Sequence, residues 1–108
     1  MIRIGDAVPM PPSELAFSGD GKLVAASDAG LDQKQTAYVY VQTLVWKVST
    51  GEKLFTIEGH KFDVDGLVFS RDNRLLLTGS VDTTIKSWDM KTGQLSETFT
   101  MPPSDKTN

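Results

Sequence analysis

Cysteine is absent from the 108 residues, so the chain offers neither a disulfide framework nor a thiolate metal site. Histidine occurs once, at His60, which leaves no second imidazole for a histidine metal site or for separate acid and base roles. Carboxylates with calcium-loop spacing are missing as well. The 11 Lys and Arg are scattered and outnumbered by 14 Asp and Glu, giving a net charge of -3 and no basic block for nucleic acid or an anionic membrane surface. No apolar run approaches the roughly 18 residues of a membrane helix, and Met1–Asp6 lacks the apolar stretch of a signal peptide. The expectation is a cytoplasmic protein with no cofactor, no metal, and neither nucleic acid nor membrane as partner.

Helical periodicity is nearly absent too. What is present are short runs rich in Val, Leu, Phe and Thr, punctuated by Gly, Asp, Asn, Ser and Pro. Eight strands are predicted: Glu14–Ser18, Lys22–Ser27, Tyr38–Val48, Lys53–Glu58, Val64–Ser70, Arg74–Gly79, Thr84–Asp89 and Gln94–Thr100. Gly19-Asp20-Gly21 and Arg71-Asp72-Asn73 supply residues that tolerate positive φ between neighbouring strands, as do Ser49-Thr50-Gly51 and Lys91-Thr92-Gly93 later in each half. All connections but one are too short for parallel crossovers, so the pairing is antiparallel.

The chain repeats itself. Leu15-Ala16-Phe17-Ser18 through Leu23 matches Leu67-Val68-Phe69-Ser70 through Leu75 at an offset of 52, and Trp46 through Gly51 matches Trp88 through Gly93 at an offset of 42. Two units of four strands follow, and units of this length and make-up read as propeller blades. The fold class is therefore all-β, two four-stranded antiparallel propeller blades forming part of a larger ring. The expected segments are 1–13, a first blade at 14–58, a second at 59–100, and a tail at 101–108. The difference between the offsets places an insertion near 28–37, read as a polar break after Ser27 followed by a lengthened third strand. Met10-Pro11-Pro12-Ser13 and Met101-Pro102-Pro103-Ser104 match across the two ends, either as coincidence between two Pro-rich segments or, the reading preferred, as two copies of one between-blade position.

Gly59-His60, Leu67-Val68-Phe69-Ser70, the run from Leu75 to Asp82 and Thr84-Ile85-Lys86-Ser87-Trp88-Asp89 together resemble the WD-repeat family. The resemblance covers roughly residues 14–100 and is strong from Gly59 to Gly93. It implies an innermost strand at Val64–Ser70, an outermost at Gln94–Thr100, and a rigid non-catalytic platform for protein–protein contacts. It also implies a hydrogen-bonded tetrad of His60, Thr78, Asp82 and Trp88. Trp88 has a donor-only indole, the Thr78 hydroxyl can accept it and donate onward, and neutral His60 can accept from Thr78 and donate to Asp82. The first unit departs from the pattern: Lys47 follows Trp46, Val8 stands where the histidine would be and Ala26 where Thr78 would be, with Asp28 a candidate for the place of Asp82.

His60, Thr78 or Ser80, and Asp82 also have the residue types of a hydrolase triad. No Gly-x-Ser-x-Gly elbow presents a nucleophile, and the spacing suits a blade-locking network better, so the chain is not expected to be an enzyme. Asp63 and Asp65 are expected to be solvated, and Gly19 and Gly21 to be turn residues rather than a phosphate cradle. Period two places Tyr38, Tyr40 and Trp46 on one strand face.

Two blades bury one shared interface and leave two apolar faces open, whereas about three or more repeats are usually needed and propellers have about four to eight blades. A completing partner is therefore expected: roughly three or four copies of the chain joined head to tail, or another polypeptide supplying the missing blades of a split or longer ring. In the family's architecture the insertion shares a rim with Glu58–Asp63, so the expected partner-binding rim is Leu31, Asp32, Gln33, Lys34, Tyr38, Tyr40, Lys61 and Phe62.

Overall fold

The structure, a computed structural model, describes residues 8–9 and 14–101. Apart from Met101, the two Met-Pro-Pro-Ser segments lie outside the described residues. Strands β1 (Val8–Pro9), β2 (Glu14–Phe17), β3 (Leu23–Leu31), β4 (Tyr38–Lys47) and β5 (Lys53–Ile57) form one sheet. Strands β6 (Val64–Phe69), β7 (Leu75–Ser80), β8 (Thr84–Asp89) and β9 (Leu95–Thr100) form the other. Every pairing is antiparallel. Because β1 and β2 both lie along the edge of β3 that faces away from β4, the five strands of the first sheet occupy four lanes.

The sequence repeat is a repeat of register. Ala16↔Ala25 and Phe17↔Val24 in the first sheet correspond to Val68↔Leu77 and Phe69↔Leu76 in the second. Val24↔Trp46 corresponds to Leu76↔Trp88. Even the irregularity is shared, with a register shift between Val45 and Trp46 against β5 and between Ser87 and Trp88 against β9. The turns repeat in the same way. The Ser18 hydroxyl donates to the Asp20 carboxylate at 2.7 Å and the Lys22 N–H at 3.0 Å, and Ser70, Asp72 and Arg74 reproduce both bonds. The left-handed position of this turn is filled by Gly21 (φ 75) in one sheet and Asn73 (φ 62) in the other, residue types that accept positive φ at low cost.

The sheets pack face to face. The first presents small residues, with Ala25 buried beside Val45 and Ile57, and the second inserts Phe69, Leu76 and Trp88 into that surface. Small against large lets the pleated faces approach to close-packed density. A second cluster joins Ala29 and Val41 to Val64 at the start of β6. At the edge, a Cβ on Gly93 would collide with the Phe55 ring, so the turn of one sheet sits directly on the outer strand of the other.

Strand partners share a face, so the registers also define the surfaces left open. On the first sheet these are Leu15, Phe17, Val24, Leu44 and Trp46; on the second, Val68, Leu75, Leu77, Ile85 and Phe99. Phe17 is 60% and Val68 57% exposed. Trp46 thus lies on an outer flank, not between the two sheets.

Two expectations need correction. The strand that begins at Leu23 does not stop at Ser27 but runs on to Leu31, pairing Ala29 with Val41 and Gly30 with Tyr40. Ser27, Ala29 and Gly30 have a loop-like composition, yet all three are buried, and on the inward face Ser27 and Ala29 are small enough to fit against the second sheet. The insertion is therefore strand as far as Leu31, closed by the turn at 32–37. Nor do Tyr38, Tyr40 and Trp46 share a face. The register shifts at Gly30/Leu31, so Tyr40 opposes Gly30 and Tyr38 opposes Leu31. Consecutive residues point to opposite faces, so Val39 becomes a bulge and Tyr38 turns inward.

Candidate functional site

Two polar or amphipathic constellations stand out, one inside the second sheet and one on its rim. In the first, the turn after β7 brings Asp82 back toward His60, which sits in the segment between the sheets. His60 Nδ1 lies 3.0 Å from Asp82 Oδ2 and His60 Nε2 lies 2.7 Å from the Thr78 hydroxyl. The Trp88 indole donates to the same hydroxyl at 2.9 Å. An ionised Asp82 can only accept, so Nδ1 carries the proton and Nε2 receives the Thr78 proton. The chain then runs without conflict from Trp88 N–H to Thr78, from Thr78 O–H to His60, and from His60 N–H to Asp82.

Asp82 gathers more donors than the spacing announces. The Thr84 hydroxyl and N–H both donate to Oδ1, and the Lys61 N–H reaches Oδ2 at 3.2 Å. Burial penalises this carboxylate, but the Thr84, His60 and Lys61 hydrogen bonds outweigh it and hold the carboxyl well below the usual range. Ser80 extends the net by donating to the Phe62 carbonyl at 3.0 Å. Thr84 was not singled out from sequence, and Lys61 and Ser80 were read there only as a rim residue and as an alternative triad hydroxyl, although Asp82-Thr83-Thr84 repeats the aspartate-to-i+2 bond of the Asp20 and Asp72 turns. Gly59 is explained here too, since a Cβ there would stand 2.9 Å from the Trp88 ring.

Among the described residues the first sheet has no equivalent of this tetrad. Ala26 takes the place of Thr78, so Trp46 lacks the hydroxyl acceptor that Thr78 gives Trp88. Asp28 does not take the place of Asp82, because its partner on β4 is Gln42, in mid-strand, and its 52-residue counterpart is Ser80. Instead, a buried Ser27–Thr43 hydroxyl pair at 2.7 Å crosses the sheet.

The second constellation lies where the β3–β4 hairpin meets the segment between the sheets. Leu31, Tyr38, Lys61 and Phe62 line a shallow groove together with Gln35, Thr36 and Ala37, which were not on the expected rim. Tyr38 meets Phe62 edge-on with ring centroids 6.0 Å apart, and Phe62 remains 46% exposed. Burial and the neighbouring charge of Asp63 push the Tyr38 hydroxyl pKa up, so Asp63 faces a side chain rather than bulk water alone. Gln33 and Lys34 sit exposed at the hairpin tip, outside the groove lining. Asp32 is committed to the turn, accepting the Thr36 N–H at 2.8 Å and the Thr36 hydroxyl at 2.9 Å. Tyr40 falls on the opposite sheet face. Among the described residues no group of three or more His, Asp and Glu side chains could hold a metal ion, and no helix is long and apolar enough to cross a membrane.

Comparisons with known proteins agree with this geometry. The family described as WD domain, G-beta repeat matches residues 51–89, which run from just before β5 to the end of β8. Eukaryotic translation initiation factor 3 subunit I is 40% identical over 58 residues in Debaryomyces hansenii, covering 54% of this chain and 17% of that protein. Its counterpart from Pyricularia oryzae is 36% identical over 94 residues, covering 87% of this chain and 25% of that protein. Periodic tryptophan protein 2 of Arabidopsis thaliana is 39% identical over 59 residues, covering 55% of the chain and 7% of the relative. The chain thus spans a quarter or less of the length of these relatives. In structure it is similar to the β-propeller domain of Myceliophteria thermophila Cps50 (Swd1), with a TM-score of 0.68 and 20% identity over 93% of this chain and 26% of that one.

Proposed function

We propose that this chain, a WD-repeat protein with the propeller fold, is a non-catalytic scaffold whose blades complete a ring with others and present a rim to partner proteins. The observation that carries the proposal is a division of labour among side chains. Every residue with hydrolase character, His60, Thr78 and Asp82, is tied into one saturated hydrogen-bond chain with Trp88, while the exposed apolar surface lies on the flanks and rim. The tetrad's role is to lock the segment 59–63 onto the second blade. A buried network of this kind is favourable when every member is paired, and it fixes Lys61 and Phe62 in place for contact.

The partner-binding surface is the rim formed by Leu31, Tyr38, Lys61 and Phe62, where a large half-exposed aromatic pair sits beside a cation. Aromatic side chains of this kind dominate interface energetics. The similarity to translation initiation factor subunits supports a cytoplasmic location. The missing blades come from further copies of the chain, roughly three or four copies in all making the ring. A specific observation favours a second source, a longer or split propeller to which this segment belongs: it spans only 17–25% of the initiation factor subunits it matches.

The test is co-purification from cells with the wild-type chain and with Phe62→Asp, the captured proteins being identified by mass spectrometry. Loss of specific partners with unchanged β-sheet signal is the expected result. Retention of the full set would move the partner site away from this rim. Labelling by serine- or threonine-directed probes would speak against a non-catalytic role.

A further inference from the structure

Each open flank has a counterpart, residue by residue, that is already buried at the junction between the two blades. The open face of the first blade, Leu15, Phe17, Val24 and Trp46, corresponds by register to Leu67, Phe69, Leu76 and Trp88, the face the second blade docks. The open face of the second blade, Val68, Leu77, Ser87 and Phe99, corresponds to Ala16, Ala25, Val45 and Ile57, the face the first blade docks. The chain therefore carries both halves of one junction, on opposite sides.

Resting on the reading of the chain as part of a ring, we infer that a second copy covers these flanks head to tail, the Phe17/Trp46 face of one copy seating on the Val68/Leu77 face of the next. Three features fit these two faces to each other rather than to an average blade. Where the internal junction sets small Ala25 in one cluster with large Leu76, the outer faces reverse the sizes, large Leu77 against the smaller Val24. The Ser87 hydroxyl, buried without a partner among the described residues, stands in the place of Val45, which shares its cluster with Trp88. By register this position faces the Trp46 side of the neighbouring copy, a small side chain against a large indole, with its hydroxyl already covered within its own chain. Finally, Phe55 packs on Gly93 at the internal junction. Its counterpart, Glu97, is brought to Gly51 of the next copy, beside Lys53 on the Trp46 face, so opposite charges meet.

A heterologous contact of this kind predicts complementation in trans. Phe17→Lys blocks one flank and Val68→Lys the other, at positions exposed enough to leave each chain's own fold intact. Measured by light scattering after size exclusion, each variant alone should stay at 11.8 kDa, and an equimolar mixture should form a species of twice that mass. Circular dichroism verifies the native β signal of each. A Val68→Lys chain that dimerises alone would mean that like faces pair and would overturn the polarity. A mixture of folded chains that remains monomeric would overturn a second copy as the occupant. Within the wild-type background, Glu97→Lys should weaken assembly about two- to fivefold, and adding Lys53→Glu should restore it. Absence of that rescue would contradict the proposed register. Loss of partner capture at the rim is read separately through Phe62→Asp, so the two proposals fail independently.

Discussion

The two blades share every strand register and turn bond compared above, yet among the described residues the Trp–Thr–His–Asp chain is found in the second blade and not in the first. The second blade strings Trp88, Thr78, His60 and Asp82 into a saturated chain. The first keeps the tryptophan, replaces the threonine with Ala26, and crosses its sheet with a single Ser27–Thr43 hydroxyl pair. The four-stranded sheet is therefore specified by alternation, turn chemistry and register, not by the network. What the network adds is attachment: it pins the segment 59–63 to the blade through His60, Lys61 and the Phe62 carbonyl. The first blade spends its extra residues on a longer hairpin that leans on the same segment from the other side.

Substitutions at matched positions should separate these roles. Leu76→Ala removes a fully buried side chain from the junction and should cost about 2–5 kcal/mol. Val24→Ala, its partly exposed counterpart, should cost well under half as much in the unassembled chain, both read from chemical denaturation. Thr78→Val leaves the Trp88 indole and the His60 Nε2 unpaired and should cost about 1–3 kcal/mol for each group left buried without a partner. Ala26→Thr, which offers Trp46 the acceptor it lacks, should be close to neutral or stabilising by about 1 kcal/mol. If Ala26→Thr destabilised as much as Thr78→Val, the blades would not be comparable at these sites.

Acid gives a subtler contrast. The Asp82 carboxyl is held below its ordinary value, so its contribution is fully present above the unfolded-state pKa of about 3.9 and is lost as pH falls below it. Denaturation midpoints from pH 7 to pH 2 should drop below about pH 4, with exchange protection of the 59–63 amides lost first. Asp82→Asn should flatten part of that drop. The smallest effects should come from Asp20→Ala and Asp72→Ala, which remove the same exposed turn bond from each blade and should shift stability equally. Unequal shifts would show that the turns are not equivalent.

Much of this was legible in the sequence. Seven strands fall within a residue of where alternation and turn residues place them, while β1 was not read, and the hydrogen bonds among His60, Thr78, Asp82 and Trp88 join the residues that the WD-repeat resemblance implied. The extent of β3 was hidden, because Ser27-Asp28-Ala29-Gly30 has a loop's composition and becomes strand only when the facing sheet demands small side chains. The orientation of Tyr38 was hidden for a different reason. A single bulged residue, Val39, reverses the side on which every preceding residue lies, and nothing local in Tyr-Val-Tyr-Val marks it. The donors Thr84 and Lys61 join Asp82 only once the turn has closed.

Soluble monomers rarely leave two apolar flanks bare to water. The mass of the purified wild-type chain under native conditions, by sedimentation equilibrium across a concentration series, addresses this most directly. Particles of three or four times 11.8 kDa, dissociating on dilution, are what the account requires. A folded species that stays at 11.8 kDa at every concentration would contradict it.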